Sequence, residues 1–387
     1  MHEATISRVL SRQDALEELA QKYGTPLLVI DHETIRDNFR AFRRLLPRVK
    51  PYFAIKANPE EAIARTLLYE GAGFDIASLE EFNILRRVIP GTDQEQRAFI
   101  DANVVFANTI KSFKALDAMQ AYNVPMTFDN AAELDKIAAR CRHVPLILRL
   151  EVPNDAAIVE LSSKFGARYD DCPALLEHAD MLGLKVVGVS FHVGSQCEKP
   201  GAFKTAFQRA RKLFDDAIAT GHGFSVLDIG GGYPAPYDES VAPMEAFSKR
   251  INDLIDEYFP SNDVQIIAEP GRFLVATAAT AVATVIGKSV RHGRPYYYID
   301  DGVYHTFSGF IYDHIQYHFK AFKDGKTTPS TVAGPTCDAL DTIVKDDPLP
   351  DLEVGDLVYS ENTGAYTNAS ASFFNGFPPA KIVHINQ

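Results

Sequence analysis

Short runs rich in β-branched and aromatic residues alternate with longer stretches of helical periodicity over the first two-thirds of the chain. The runs are "PYFAIKAN", "GFDIAS", "VVFAN", "PMTFD", "LILRLEV", "VVGVSFHVGS", "VLDIGGG" and "IIAEPGR". Between them lie segments such as "PEEAIARTLLYEGA", "SLEEFNILRRVI", "NAAELDKIAARC" and "FKTAFQRARKLFDDAIATG". Several place apolar residues three and four apart and end on or just before a Gly. Strands alternating with helices predict parallel βαβ units, and eight such strands predict an α/β fold with a closed (β/α)8 barrel of the TIM type. After Gly271 the pattern changes. "ATAATAVATVIGKSV", "RPYYYIDDGV", "PSTVAGPTC", "DLVYSENTGAYT" and "KIVHINQ" are turn-punctuated and lack helical periodicity. They predict a C-terminal, mainly antiparallel β domain. The expected division gives residues 26–273 to the barrel, and residues 1–25 with 274–387 to the β domain.

The length of 387 residues suits about two domains with a large core. A net charge of −12 argues against nucleic acid or an anionic membrane as partner and suits a cationic small molecule. Cys141, Cys172, Cys197 and Cys337 are too scattered for a disulfide framework or a zinc site, so no metal is expected. "MHEATISRVLSRQD" has no apolar leader core, and no stretch approaches membrane-spanning length. A reduced, cytoplasmic setting is expected.

The chemistry collects where the strands end. Lys56, Asp75, Asn108, Asp129, Arg149, His192, Gly230 to Gly232, and Glu269 with Arg272 lie at the downstream ends of the eight runs. In a parallel barrel these ends open on one face. Taken singly, each is an ordinary loop polar group, cap or turn; their joint delivery to one rim points to a shared pocket. The glycines of "DIGGGYP" let backbone N–H groups approach an anion, and Arg272 of "EPGRF" adds charge, at the two loops where barrels commonly bind phosphate. A phosphate cradle, a lysine after the first strand and a carboxylate after the last together point to pyridoxal 5′-phosphate (PLP). The Lys56 amine would form a Schiff base with the aldehyde. Glu269 would keep the pyridine nitrogen protonated. His192 in "SFHVGS" is placed to stack on the ring.

These stretches, with "LSSKFGA", "DDGVY", "YDH", "GPTCDALD" and "ENTGAYTNASASFFNGF", resemble the fold-type III, PLP-dependent basic amino acid decarboxylases over nearly the whole chain. The resemblance implies decarboxylation of L-ornithine to putrescine and carbon dioxide in polyamine biosynthesis. It implies Lys56 as the Schiff-base lysine, Glu269 at the pyridine nitrogen, His192 on the ring, and Asp75, Glu81 and Arg149 as the polar network beneath it. Ser195, Gly230, Gly231, Gly232, Gly271, Arg272 and Tyr366 would hold the phosphate. Cys337 would return a proton to the carbanion, Asp313 and Asp338 would receive the distal ammonium, and Tyr312 and Phe374 would complete the substrate site. In this family Cys337 and Asp338 come from the second subunit, so a homodimer is implied, with Lys164 pairing with Asp341 across it.

Several alternatives stand beside this one. A lysine/ornithine decarboxylase of dual specificity shares every motif. Diaminopimelate decarboxylase shares the barrel and the "EPGR" loop, but usually has Glu after the catalytic Cys where Asp338 stands. Alanine racemase typically has Arg at the ring nitrogen, which Glu269 opposes. An inactive regulatory homologue would have lost cofactor residues, and Lys56, His192, Glu269 and Cys337 are all present. The sequence ends with "FFNGFPPAKIVHINQ", without the degradation tail of animal members, so antizyme-type regulation is not expected.

Overall fold

The computed structural model describes residues 12–387 apart from 153–156, 160–163, 198, 200 and 238–240. All eight runs are strands: Val49–Ala54, Gly73–Ile76, Val104–Phe106, Met126–Phe128, Pro145–Arg149, Lys185–Ser190, Val226–Asp228 and Gln265–Ala268. They close into a barrel in which the eighth pairs with the first. Every neighbouring pair is parallel. The expected TIM-type barrel is therefore present.

Side-chain alternation fills its interior. Tyr52, Val105, Ile147, Val187 and Ile267 form one buried layer with Val226 packed against it. Residues two positions further along a strand point the same way, so Arg149, Asp228 and Glu269 stack above Ile147, Val226 and Ile267, toward the rim where the strands end. Polar caps start the helices that follow several strands. Ser78, Ser112 and Asn130 each accept a backbone N–H from three residues on, and Thr92 with Glu95 forms a full capping box. This compact unit runs from Asn38 to Pro234 and closes with the segment ending at Gly271.

The other unit takes in the N-terminal segment through Asp37, the short segment Ala235–Glu239 and Arg272–Gln387. Its sheet has eight strands, antiparallel except at two pairings: Leu27–Asp31 with Lys381–Ile385, and Arg294–Ile299 with Thr328–Ala333. It is thus mixed, though mostly antiparallel as expected. The strand Leu27–Asp31 falls inside the span expected for the barrel, yet it hydrogen-bonds between Ala279–Arg291 and Lys381–Ile385 in this sheet instead. The helix Arg12–Tyr23 buries Leu16, Leu19 and Ala20 against Leu27, Val29, Val282 and Val383. Among the described residues, no helix is long and apolar enough to cross a membrane.

Candidate active site

The first barrel strand ends at Ala54, and a single 3-10 turn, Ile55–Ala57, carries the chain over the rim. Lys56 sits in that turn, one step past the strand end that the sequence pattern implied. The Ala54 N–H donates to Pro270 O at 3.3 Å, tying the turn to the loop after the eighth strand. The Lys56 ammonium pairs with Asp75 Oδ2, at the end of the second strand. Asp75 Oδ1 is buried and finds no hydrogen-bond partner among the described residues.

Glu81 follows in the next helix. Its N–H donates to Ser78 Oγ, and its Oε2 accepts the Ala77 N–H at 2.6 Å, which fastens the carboxyl above the second strand. Burial pushes Glu81 up to about 7; the Asp75 charge adds to this, while the Ala77 N–H and Lys56 oppose it.

His192 lies just beyond the sixth strand. Its Nδ1 accepts the Gly194 N–H at 3.0 Å, so the neutral ring carries its proton on Nε2. Burial, then the charges of Arg149 and Lys56, hold the imidazole well below the usual histidine range. It is a neutral, flat surface at neutral pH. The Arg149 guanidinium, ending the fifth strand, lies 5.4 Å from the centre of the Phe165 ring. Ser195 begins the short strand Ser195–Cys197. Asn108 and Asp129 serve as loop ties: Asn108 Nδ2 donates to Ala77 O, and Asp129 Oδ2 accepts the Gly166 N–H.

The glycine loop has no room for side chains. Gly230 and Gly232 have φ of 66° and 98°, where other residues are strained. A Cβ on Gly230 would lie 2.2 Å from Phe191 O, one on Gly232 2.2 Å from Gly194 O, and one on Gly231 2.9 Å from His192 Nε2. Gly271 would meet Ala57 Cβ at 2.9 Å. Glu269 donates its N–H to Gly230 O at 2.8 Å. Burial, then the charges of Asp228 and Asp75, raise the Glu269 carboxyl well above its ordinary range, with Lys56 opposing.

Sequence reasoning missed Asp228, at the end of the seventh strand. Its Oδ1 accepts the Gly230 N–H at 2.8 Å, its carboxyl shares a hydrogen bond with that of Glu269, and burial pushes it up to about 6. The signal was present. Two residues after an interior valine, Asp228 shares the inward face with Val226, but the glycines beside it drew the reading.

In the β unit the remaining residues fall into two groups. Arg272 donates to Tyr237 OH at 2.8 Å and to Asp313 Oδ2 at 2.7 Å, and its guanidinium lies 4.7 Å from the Tyr366 ring centre. Asp313, expected to meet substrate, is thus ion-paired with a residue expected to meet phosphate. Tyr312, beside it, is exposed. In the second group the Tyr304 hydroxyl donates to Asp338 Oδ2, and the Tyr304 ring stacks on Phe374 at 4.2 Å. The hydrogen bond holds Asp338 below the usual carboxylate range and pushes Tyr304 up to about 12. The Cys337 thiol is exposed, and its N–H donates to Asn375 Oδ1 at 3.0 Å. Asp341 is buried, its two oxygens taking the Val303 and Thr336 N–H groups of its own chain.

Residues 32–276 match the family described as pyridoxal-dependent decarboxylase, pyridoxal binding domain. The chain belongs to the pyridoxal-dependent decarboxylases. It is 38% identical over 364 residues to the lysine/ornithine decarboxylase of Selenomonas ruminantium, covering 94% of this chain and 90% of that protein. It is also 38% identical over 368 residues to antizyme inhibitor 2 of Xenopus laevis, covering 90% and 78%. The solved arginine decarboxylase of Paramecium bursaria Chlorella virus bound to agmatine superimposes with a TM-score of 0.90 at 33% identity, covering 96% of this chain and 100% of that one.

The cofactor of the family is PLP, and the residues present fit it. A rim lysine is paired with a buried carboxylate. The glycine loop leaves backbone where any Cβ would collide. One buried carboxylate oxygen, Asp75 Oδ1, lacks a partner among the described residues, as expected of a pocket shaped for a polar group.

Proposed function

We propose that the chain decarboxylates a basic L-amino acid, L-ornithine first, to the diamine putrescine and carbon dioxide, using PLP joined to Lys56. The observation that carries this reading is the Lys56–Asp75 pair at a barrel rim that also bears Glu269 and the glycine loop. Bound PLP supplies an electron-withdrawing ring that accommodates the charge left when carbon dioxide departs. The protein's residues do the rest. Lys56 holds the cofactor through its amine, and Asp75 with Glu81 and Arg149 sets the polar floor. Neutral His192 offers its ring face, while Glu269 holds a proton at the pyridine nitrogen. Backbone N–H groups of Gly230, Gly231, Gly232 and Gly271, with Ser195, Arg272 and Tyr366, take the phosphate.

Cys337 Sγ returns a proton to the substrate α-carbon. Asp338 receives the distal ammonium, held as an anion by the Tyr304 hydroxyl; Asp313, paired with Arg272, is the weaker candidate. Tyr312 and Phe374 complete the wall, and the apolar ring of Phe374 disfavours a charged carboxylate nearby. Each site is complete only in a homodimer, with Cys337 and Asp338 supplied by the second copy. Similarity to a lysine/ornithine decarboxylase and to an agmatine-bound arginine decarboxylase supports a basic substrate, as does the acidic net charge.

Similarity to an antizyme inhibitor favours a second reading, a regulator without activity. The presence of Lys56, Glu269 and Cys337 speaks against it. Carbon dioxide release from ornithine, lysine, arginine and diaminopimelate, with PLP added, separates these readings. Ornithine is expected to give the highest kcat/KM. A higher value for another substrate would reassign the specificity, and no release from any would support the regulator.

A further inference from the structure

The seventh barrel strand delivers a carboxylate that the chemistry above does not use. Asp228 is fully buried. Its Oδ1 accepts the Gly230 N–H, and the Gly230 carbonyl in turn accepts the Glu269 N–H, both at 2.8 Å. Asp228, Gly230 and Glu269 therefore form one hydrogen-bonded line across the paired seventh and eighth strands. The Asp228 and Glu269 carboxyls also face each other and share a hydrogen bond. An asparagine would make the Gly230 bond as well, without the cost of burying a charge, so the loop alone does not call for an acid here.

We propose that Asp228 is a positioning residue with two tasks: Oδ1 fixes the glycine loop, and its negative charge keeps one proton on the pair formed by Glu269 and the pyridine nitrogen of bound PLP. The inference rests on the assignment of Glu269 to that nitrogen. No covalent bond changes. One proton is shared between carboxyl and ring, and a neighbouring anion raises the affinity of both for it. The other groups facing this pair come from every adjoining strand. Asp75 adds negative charge, and Lys56 and Arg149 oppose it. Tyr52 and Tyr233 are kept neutral by burial and by these same carboxylates. Deleting one anion from this balance lowers the proton affinity of the pair.

The test uses the holoenzyme loaded with PLP carrying nitrogen-15 in its ring, followed by nitrogen-15 NMR across pH. Asp228→Asn keeps an oxygen for the Gly230 N–H and removes the charge; Asp228→Ser is a second neutral variant in case the amide impairs loading. In either, the ring nitrogen should lose its proton about one pH unit or more below the parent. Asp228→Glu should return the titration toward the parent value. A ring titration that does not move in the neutral variants overturns the inference alone, provided that Glu269→Gln abolishes the protonated-ring signal. If Glu269→Gln leaves the ring protonated, the assignment of Glu269 and the inference both fall.

Discussion

The Lys56 ammonium is paired with a carboxylate far more deeply buried than itself. Asp75 has 1% of its side chain exposed, and Lys56 has 37%. The two partners are therefore unequal when one is removed. Asp75→Asn leaves an ammonium that can reach water, whereas Lys56→Ala leaves a buried carboxylate without its counter-ion, and the unpaired buried charge is the expensive outcome. In the cofactor-free protein, Lys56→Ala should lose on the order of 2 kcal/mol more stability at pH 7 than Asp75→Asn. Denaturant unfolding of both variants checks this; equal losses would contradict it.

Glu81 gives a pH dependence with a definite sign. Its carboxyl is raised by burial to about 7, so the folded form holds a proton that the unfolded chain has already released. The stability this contributes is present in full below the ordinary carboxylate range and is lost as pH rises through about 7. Glu81→Gln keeps an acceptor for the Ala77 N–H and has no proton to lose. The Tm of the cofactor-free parent should therefore fall relative to that of the variant between pH 5 and 8. A constant difference would show that this carboxyl is not raised.

Asp338 is the carboxylate proposed for the distal ammonium. Asp338→Ala should raise the KM for ornithine about tenfold or more, the scale of a lost charge-assisted hydrogen bond, with a smaller change in kcat. Tyr304→Phe removes the hydroxyl that orients Asp338 and should give a milder increase. An unchanged KM in Asp338→Ala would reject the role.

Sharing of sites between two copies predicts complementation. Lys56→Ala and Cys337→Ala, each inactive alone, should together recover about a quarter of parent activity, since random pairing makes half the dimers hybrid and each hybrid has one intact site. No recovery after mixing under dissociating conditions would place Lys56 and Cys337 in the same copy's site.

Much of the fold and of the site is legible in the sequence, for local reasons. Each barrel strand announces itself in a short apolar run, and the site residues of the barrel other than Glu81 lie at or just past the end of such a run, so the eightfold alternation carries both fold and rim. What local pattern could not show was pairing over distance. "LLVID" is not one of the eight runs, yet it falls inside the span assigned to the barrel; its neighbours, Ala279–Arg291 and Lys381–Ile385, lie more than two hundred residues away. Arg272 and Asp313 likewise read as two independent ligands until the fold brings them within 2.7 Å. Asp228 was legible in principle through its two-residue spacing from Val226, and was hidden by the more conspicuous glycines.

The covalent bond proposed between Lys56 and the cofactor has a direct test. The holoenzyme is reduced with borohydride, digested, and its peptides weighed and fragmented. One cofactor mass is expected on the peptide containing "PYFAIKANP", localised to Lys56, and none elsewhere. A modification on any other lysine, or a reduced cofactor that remains unattached to the protein, would contradict it.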